Sequence, residues 1–141
     1  ELTKKPEQLS KRGGALYSEA AVSLIDCIHN DRKETHVVDI RNNGAIPFLR
    51  DDDVVEISST VRRDSITPQP ITVMPNEQIV ALIQTVKAYE RLTVEAALTG
   101  DRIAALRALM VHPLVGDFNL AQQCFDEMLE AHREYLPQFF N

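Results

Sequence analysis

Val54-Val55-Glu56-Ile57-Ser58-Ser59-Thr60-Val61 is the stretch that decides the architecture. It is rich in β-branched residues, and its apolar side chains alternate with polar ones, as a strand buried on one face requires. Upstream, Thr35-His36-Val37-Val38-Asp39-Ile40 is short and rich in β-formers, and predicts a first strand. Asn42-Asn43-Gly44 follows as a turn, because Asn and Gly tolerate positive φ. Downstream, Arg63-Asp64-Ser65 is a connection, and Ile71-Thr72-Val73 is expected as a third strand. Pro68 and Pro70 confine that stretch to a sheet edge or a loop.

Helices flank these strands. Over residues 15–29, Leu16, Ala20, Leu24 and Ile28 recur at helical spacing, with Ala21, Ile25 and Cys27 widening the apolar stripe. Asn76 is an N-cap for a long helix whose face is Ile79, Leu82, Ile83, Val86, Tyr89, Thr93 and Ala97, and Gly100 ends it. Asp101 caps a shorter helix through about Met110. A last helix is predicted from about Asn119 to Tyr135, burying Leu120, Cys124, Met128 and Ala131, with Ala121, Phe125 and Leu129 beside them. Pro137 and an apolar Phe139-Phe140 tail close the chain. The order is helix, strands, three helices. It predicts an α+β domain with helices packed on a small antiparallel sheet.

Composition narrows the function. The chain has 141 residues, 44% hydrophobic and 26% charged, which suits one globular domain. A formal net charge of −6 argues against nucleic acid or an anionic membrane as partner, since neither finds a basic stripe here. No apolar run approaches the ~20 residues of a membrane span, and a cytoplasmic location is expected. Cys27 and Cys124 each fall on the apolar side of a predicted helix and read as small buried hydrophobes, with a single disulfide between them as the alternative. The opening phrase Glu1-Leu2-Thr3-Lys4-Lys5-Pro6 reads as the tail of an upstream segment, so residues 1–13 are expected as a linker and 14–141 as the domain.

The chemistry-bearing residues are few. Lys11-Arg12-Gly13-Gly14-Ala15-Leu16-Tyr17-Ser18 places two cations and two glycines before a helix start, a corner suited to an anionic or polyhydroxylated ligand. The same residues also suit a plain bend with solvated cations. Tyr17 either offers its hydroxyl to a ligand or packs on the edge of the core. The Asn amides of Arg41-Asn42-Asn43-Gly44 suit sugar hydroxyls, a neighbouring subunit or simply a turn. Glu19, Asp26, Glu56 and the Asp51-Asp52-Asp53 run read as structural or solvated. His29, His36, His112 and His132 lack the i, i+4 spacing of a helical zinc pair, and no metal ligand is expected. Neither a G-x-G-x-x-G nor a Walker-type loop is present.

Four stretches carry a resemblance. Residues 11–21, beginning Lys11-Arg12-Gly13-Gly14, are one; Arg41-Asn42-Asn43-Gly44-Ala45-Ile46 is the second. Lys87-Ala88-Tyr89-Glu90-Arg91-Leu92-Thr93 and Leu129-Glu130-Ala131-His132-Arg133-Glu134-Tyr135 complete the set. In order and spacing they resemble the C-terminal part of the 6-phospho-β-glucosidases of glycoside hydrolase family 4, a family outside the two-carboxylate glycosidase scheme. The resemblance implies a fold similar to the lactate and malate dehydrogenases, with an N-terminal Rossmann domain upstream of these residues. It implies NAD and manganese as cofactors, a phosphorylated disaccharide as substrate, and a homo-oligomer. In such enzymes a hydride leaves C3 of the sugar for the nicotinamide, the acidified C2 proton is removed, and the aglycone is eliminated. By analogy with the dehydrogenase fold, the helix start would face nicotinamide and sugar. That makes Arg12, Tyr17 and Ser18 candidate substrate contacts and Gly14 a candidate cofactor contact, with no catalytic or metal-binding residue carried onto this chain. The alternatives are a non-catalytic helical dimerisation or binding module and, among enzymes, a hydroxy-acid dehydrogenase.

Overall fold

A computed structural model of the protein describes residues 16–140. The element order is α1 (Tyr17–Asn30), β1 (Glu34–Arg41), β2 (Val54–Val61), β3 (Ile66–Pro68), α2 (Glu77–Thr99), α3 (Arg102–Val111) and α4 (Phe118–Ala131), followed by short 3₁₀ turns at Arg133–Tyr135 and Pro137–Phe139. The fold is α+β, as expected. The chain divides into two compact units, Glu1–Ile71 and Thr72–Asn141.

In the first unit the strands form one antiparallel sheet in the order β1-β2-β3. Glu34 pairs with Val61 and Arg41 with Val54, so the register puts Val55, Ile57, Ser59 and Val61 on one buried face and leaves Val54 and Glu56 on the other. The third strand is not Ile71-Thr72-Val73. The pairing is made by Ile66–Pro68, ending at Ser59 opposite Pro68, and Ile71 instead donates its N–H to the Ala45 carbonyl at 2.9 Å. Proline supplies no ladder donor, so the sheet uses the residues before Pro70 and the chain then leaves.

The β1–β2 connection folds back onto the buried face. Asn42-Asn43-Gly44-Ala45 is a turn closed by the Ala45 N–H on the Asn42 carbonyl at 2.8 Å, with Asn43 at φ 42° and Gly44 at φ 83°. Two successive positive φ values are the type I′ pattern that Asn-Gly favours. Asn42 is fully buried. Its Nδ2 donates to the carbonyls of Ile46, Leu49 and Arg50 at 3.1, 3.3 and 3.1 Å, and its Oδ1 accepts from the Ile46 N–H at 2.7 Å. With those polar groups satisfied, Ala45 and Ile46 join Val55 and Ile57 in the core, and Ile40, Phe48, Leu49 and Ile71 pack around them. Asp53, expected as part of a solvated run, is buried and accepts from the Arg50 N–H at 3.0 Å; Asp51 and Asp52 are exposed.

The second unit is helical. Asn76 caps α2 through the Gln78 N–H at 2.8 Å, Asp101 caps α3 through Ile103 and Ala104, and Asp117 caps α4 through Leu120. Its core is made of small residues, Ala96, Ala104, Ala108 and Ala121, plugged by Phe125 and Leu129. The predicted face of α4 is therefore rotated: Leu120 and Met128 are about half exposed, and the row Ala121, Phe125, Leu129 is buried instead. Helix α4 also ends at Ala131, short of Tyr135. Gly100 ends α2 at φ 73°, and a Cβ there would stand 1.9 Å from the Gln138 carbonyl oxygen. The tail lies against this corner: Gln138 Nε2 donates to the Ala97 carbonyl at 3.0 Å, and the Phe125 and Phe139 rings meet edge to face at 6.4 Å.

Replacing Asn42 with Ala should cost ~2–4 kcal/mol, because one N–H and three carbonyls lose their buried partner together. Urea unfolding measures it, and a loss under ~1 kcal/mol means water replaces the amide. Gly100→Ala should also destabilise the fold, by the ~1–2 kcal/mol of a left-handed L-residue plus displacement of the tail, and so lower the melting temperature.

Candidate functional site

Helix α1 begins at the corner that the sequence singles out. Tyr17 and Ser18 stand in its first turn, both exposed, Tyr17 by 75%. Arg12 and Gly14 lie outside the described residues. The N-cap is Leu16, whose side chain caps nothing, and the Ala20 N–H closes the first intrahelical bond on the Leu16 carbonyl at 2.9 Å. The first turn therefore presents its positive dipole end beside a phenol and a hydroxyl, with Glu19 the acidic group in the same turn. This end can bind an anion or a polyol. Among the described residues of this corner, none forms a proton-transfer pair.

The apolar stripe of α1 is not buried as expected. Cys27 is its one buried residue among those described, while Leu16, Val22 and Ile25 are each about two-thirds exposed. Periodicity shows that a face is apolar, not what covers it, and the contact of α1 with the sheet includes Cys27 in its last turn. There the Cys27 thiol points at the Val61 carbonyl, 3.4 Å away.

The end of α1 is held by charge. Asp31 adopts a left-handed backbone, φ 50°, and Lys33 does so again at φ 57° before β1 starts. Such conformations cost an L-residue ~1–2 kcal/mol each. Against that cost, the Arg62 guanidinium grips the Asp31 carboxylate with two bonds of 3.2 and 2.8 Å, and the Arg63 N–H adds a third at 3.0 Å. Arg63 also donates to the His29 carbonyl at 2.8 Å. The side-chain bond from Arg62, then the backbone bond from Arg63, lower the Asp31 carboxyl from 3.8 to about 2.

The remaining sequence candidates are structural. Asp26 accepts from Asn30 and pairs with Arg32 at 2.7 Å, and Glu56 lies on the exposed face of β2. Asn42 is consumed by its loop and offers nothing to a sugar. In the second unit, Glu130 pairs with Arg133, whose guanidinium stacks 4.1 Å over the Phe140 ring. Tyr89 meets His112 edge to face at 4.6 Å. A cavity of about 360 Å³ opens between the helices of this unit, walled by Tyr89, Ala96, Ala108, Phe125, Leu129 and Phe139. Its apolar walls suit a hydrocarbon side chain rather than a phosphosugar. Both cysteines are free. Sequence reasoning missed one cluster, Cys27 with Glu34 and His36, because a helix and a strand contribute to it and no spacing rule spans the two. No helix among the described residues is long and apolar enough to cross a membrane.

The exposed helix start, the three-stranded sheet and the alanine-rich helical unit together belong to a known class: the chain is a member of the family 4 glycosyl hydrolases, matching the family's C-terminal domain over residues 1–115. Among its relatives is a probable 6-phospho-β-glucosidase of Bacillus subtilis, 48% identical over 97% of this chain and 31% of that protein. The 6-phospho-β-glucosidase of Thermotoga maritima, solved with manganese, NAD⁺ and glucose-6-phosphate, superposes with a TM-score of 0.78 at 42% identity, over 93% of this chain and 32% of that one. A 6-phospho-α-glucosidase from gut microorganisms, in complex with NAD and glucose-6-phosphate, superposes with a TM-score of 0.82 at 29% identity, over 95% of this chain and 30% of that one. The chain thus spans about a third of the length of these proteins.

Replacing Asp31 with Asn keeps a residue that tolerates the left-handed backbone while removing the charge and one of the two accepting oxygens. Because the folded carboxyl is lowered, its contribution is complete above 3.8 and is lost as pH falls toward about 2. The variant should be less stable at neutral pH and flatter across that acid window, read from urea midpoints at a series of pH values. Parallel curves for the two proteins would show that the pair contributes nothing.

Proposed function

We propose that the chain is the C-terminal portion of an NAD- and manganese-dependent 6-phospho-β-glucosidase, acting on phosphorylated β-glucosides by oxidation and elimination. The observation that carries this is the 42% identical T. maritima enzyme, which holds manganese, NAD⁺ and glucose-6-phosphate and aligns with nearly the whole chain. The 48% identical B. subtilis relative supports the β rather than the α linkage. In this reading residues 1–13 are a linker and residues 14–141 the substrate and oligomerisation domain, inactive without a Rossmann domain.

Bound NAD would supply the hydride acceptor for the sugar. The described residues fit the polar margin of such a site: α1 offers an uncapped N-terminus with Tyr17 and Ser18 exposed on it. Arg12 binds the phosphosugar, Gly14 lets the backbone approach the cofactor, and Tyr17 and Ser18 hydrogen-bond the substrate. The exposed apolar side chains of α1 support a further role, as a surface for the Rossmann domain or for a second copy in a homo-oligomer. The enzyme is cytoplasmic, with no nucleic-acid or membrane partner, in keeping with a net charge of −6. A non-catalytic dimerisation module is the weaker alternative, since these relatives are glycosidases.

The complete polypeptide containing this chain should cleave p-nitrophenyl 6-phospho-β-glucoside only with NAD and manganese present, and should leave the unphosphorylated glucoside intact. Cleavage without NAD would sink the proposal. Arg12→Ala should raise KM for the phosphorylated substrate roughly 10- to 100-fold, the worth of a charged hydrogen bond. An unchanged KM removes Arg12 from the site.

A further inference from the structure

Glu34 and His36 are two residues apart on β1, so both turn toward the face of the sheet that carries Val61 and Ser59. The last turn of α1 brings Cys27 to the same place. The Cys27 thiol, a His36 ring nitrogen and a Glu34 carboxylate oxygen all lie within 4.8 Å of one another. Cys27 is fully buried, and the His36 side chain is 14% exposed. His36 Nε2 is sealed from solvent and has no hydrogen-bond partner among the described residues. The nearest Glu34 oxygen is 3.8 Å away, too far for a hydrogen bond. A sealed ring nitrogen beside a thiol and a carboxylate has the donor set of a metal site.

We propose that Cys27, Glu34 and His36 bind a single Zn²⁺ ion, with the fourth tetrahedral position open to water. Sulfur with imidazole suits a borderline-soft cation such as zinc. Metal–ligand bonds of ~2.0–2.3 Å close the triad with small side-chain rotations. The ion enters past Glu34, whose side chain is half exposed. On binding, the thiol proton leaves to solvent, the bond from sulfur to the Val61 carbonyl breaks, and a zinc–sulfur bond replaces it. The ion clamps α1 to β1 across the Asp31–Lys33 turn, and so steadies the helix that carries Tyr17 and Ser18. The site stands on these three side chains and is independent of the proposed glycosidase activity.

The test is cobalt, then zinc, titrated into the 141-residue chain carrying Cys124→Ser, which leaves Cys27 as its only thiol. One equivalent of Co²⁺ should give a thiolate-to-cobalt charge-transfer band that Zn²⁺ abolishes, and Zn²⁺ should raise the melting temperature. Glu34→Gln changes an exposed side chain, so the fold should survive by circular dichroism while zinc affinity falls roughly tenfold or more. Adding Cys27→Ser should remove the band. Absence of the band, a band that survives Cys27→Ser, or unchanged zinc affinity in Glu34→Gln each overturns the proposal.

Discussion

The buried carboxamide of Asn42 is the constraint on which the first unit depends. A connection between β1 and β2 that turns inward must bury its own peptide groups, and each needs a partner. One side chain answers four of them. An amide suits this, because its two N–H groups are shared among three carbonyls while its oxygen accepts at the same time. Once the loop is held, Ala45 and Ile46 become core, and the Ala45 carbonyl becomes the acceptor that ends the path of the chain at Ile71. The buried face of β2 is thus covered by the loop leading into it.

Helix α1 depends on a different economy. It is attached at its C-terminal end and bare along most of its apolar stripe. Two left-handed residues let the chain reverse from helix into strand, and the Asp31–Arg62 pair steadies that reversal from the solvent side, where screening keeps such pairs modest. Cys27, Glu34 and His36 meet on the inner side of the same reversal. The corner carrying Tyr17 and Ser18 therefore takes its position from the far end of its own helix.

Local signals were legible and long-range ones were not. Asn76, Gly100 and Asp101 mark helix ends because capping involves only neighbouring residues, and all three do so in the structure. The Asn43-Gly44 turn was legible for the same reason. The third strand is Ile66–Pro68 rather than Ile71-Thr72-Val73, since both begin with a β-branched Ile-Thr pair and which of them pairs with β2 depends on how the chain returns. The buried row of α4 lies a fraction of a turn from the expected one: Leu120 and Met128 are more hydrophobic than Ala121, but the face turned inward is set by the helices packed against it, and Ala121 allows them a close approach. Of the candidate site, Tyr17 and Ser18 were visible as residues beside a helix start, whereas the thiol–imidazole–carboxylate cluster was not visible at all.

By itself, the amino-acid sequence determined the α+β class, the helix ends marked by Asn76, Gly100 and Asp101, and the family, because these rest on local backbone preference, on alternation and on motifs contiguous in the chain. Tertiary structure alone decided that Asn42 is a loop anchor rather than a sugar ligand, that Asp53 is buried while its neighbours are not, and that Cys27 faces His36. Burial and partnership are properties of the space around a side chain. That space is enclosed by segments which periodicity and composition describe one at a time.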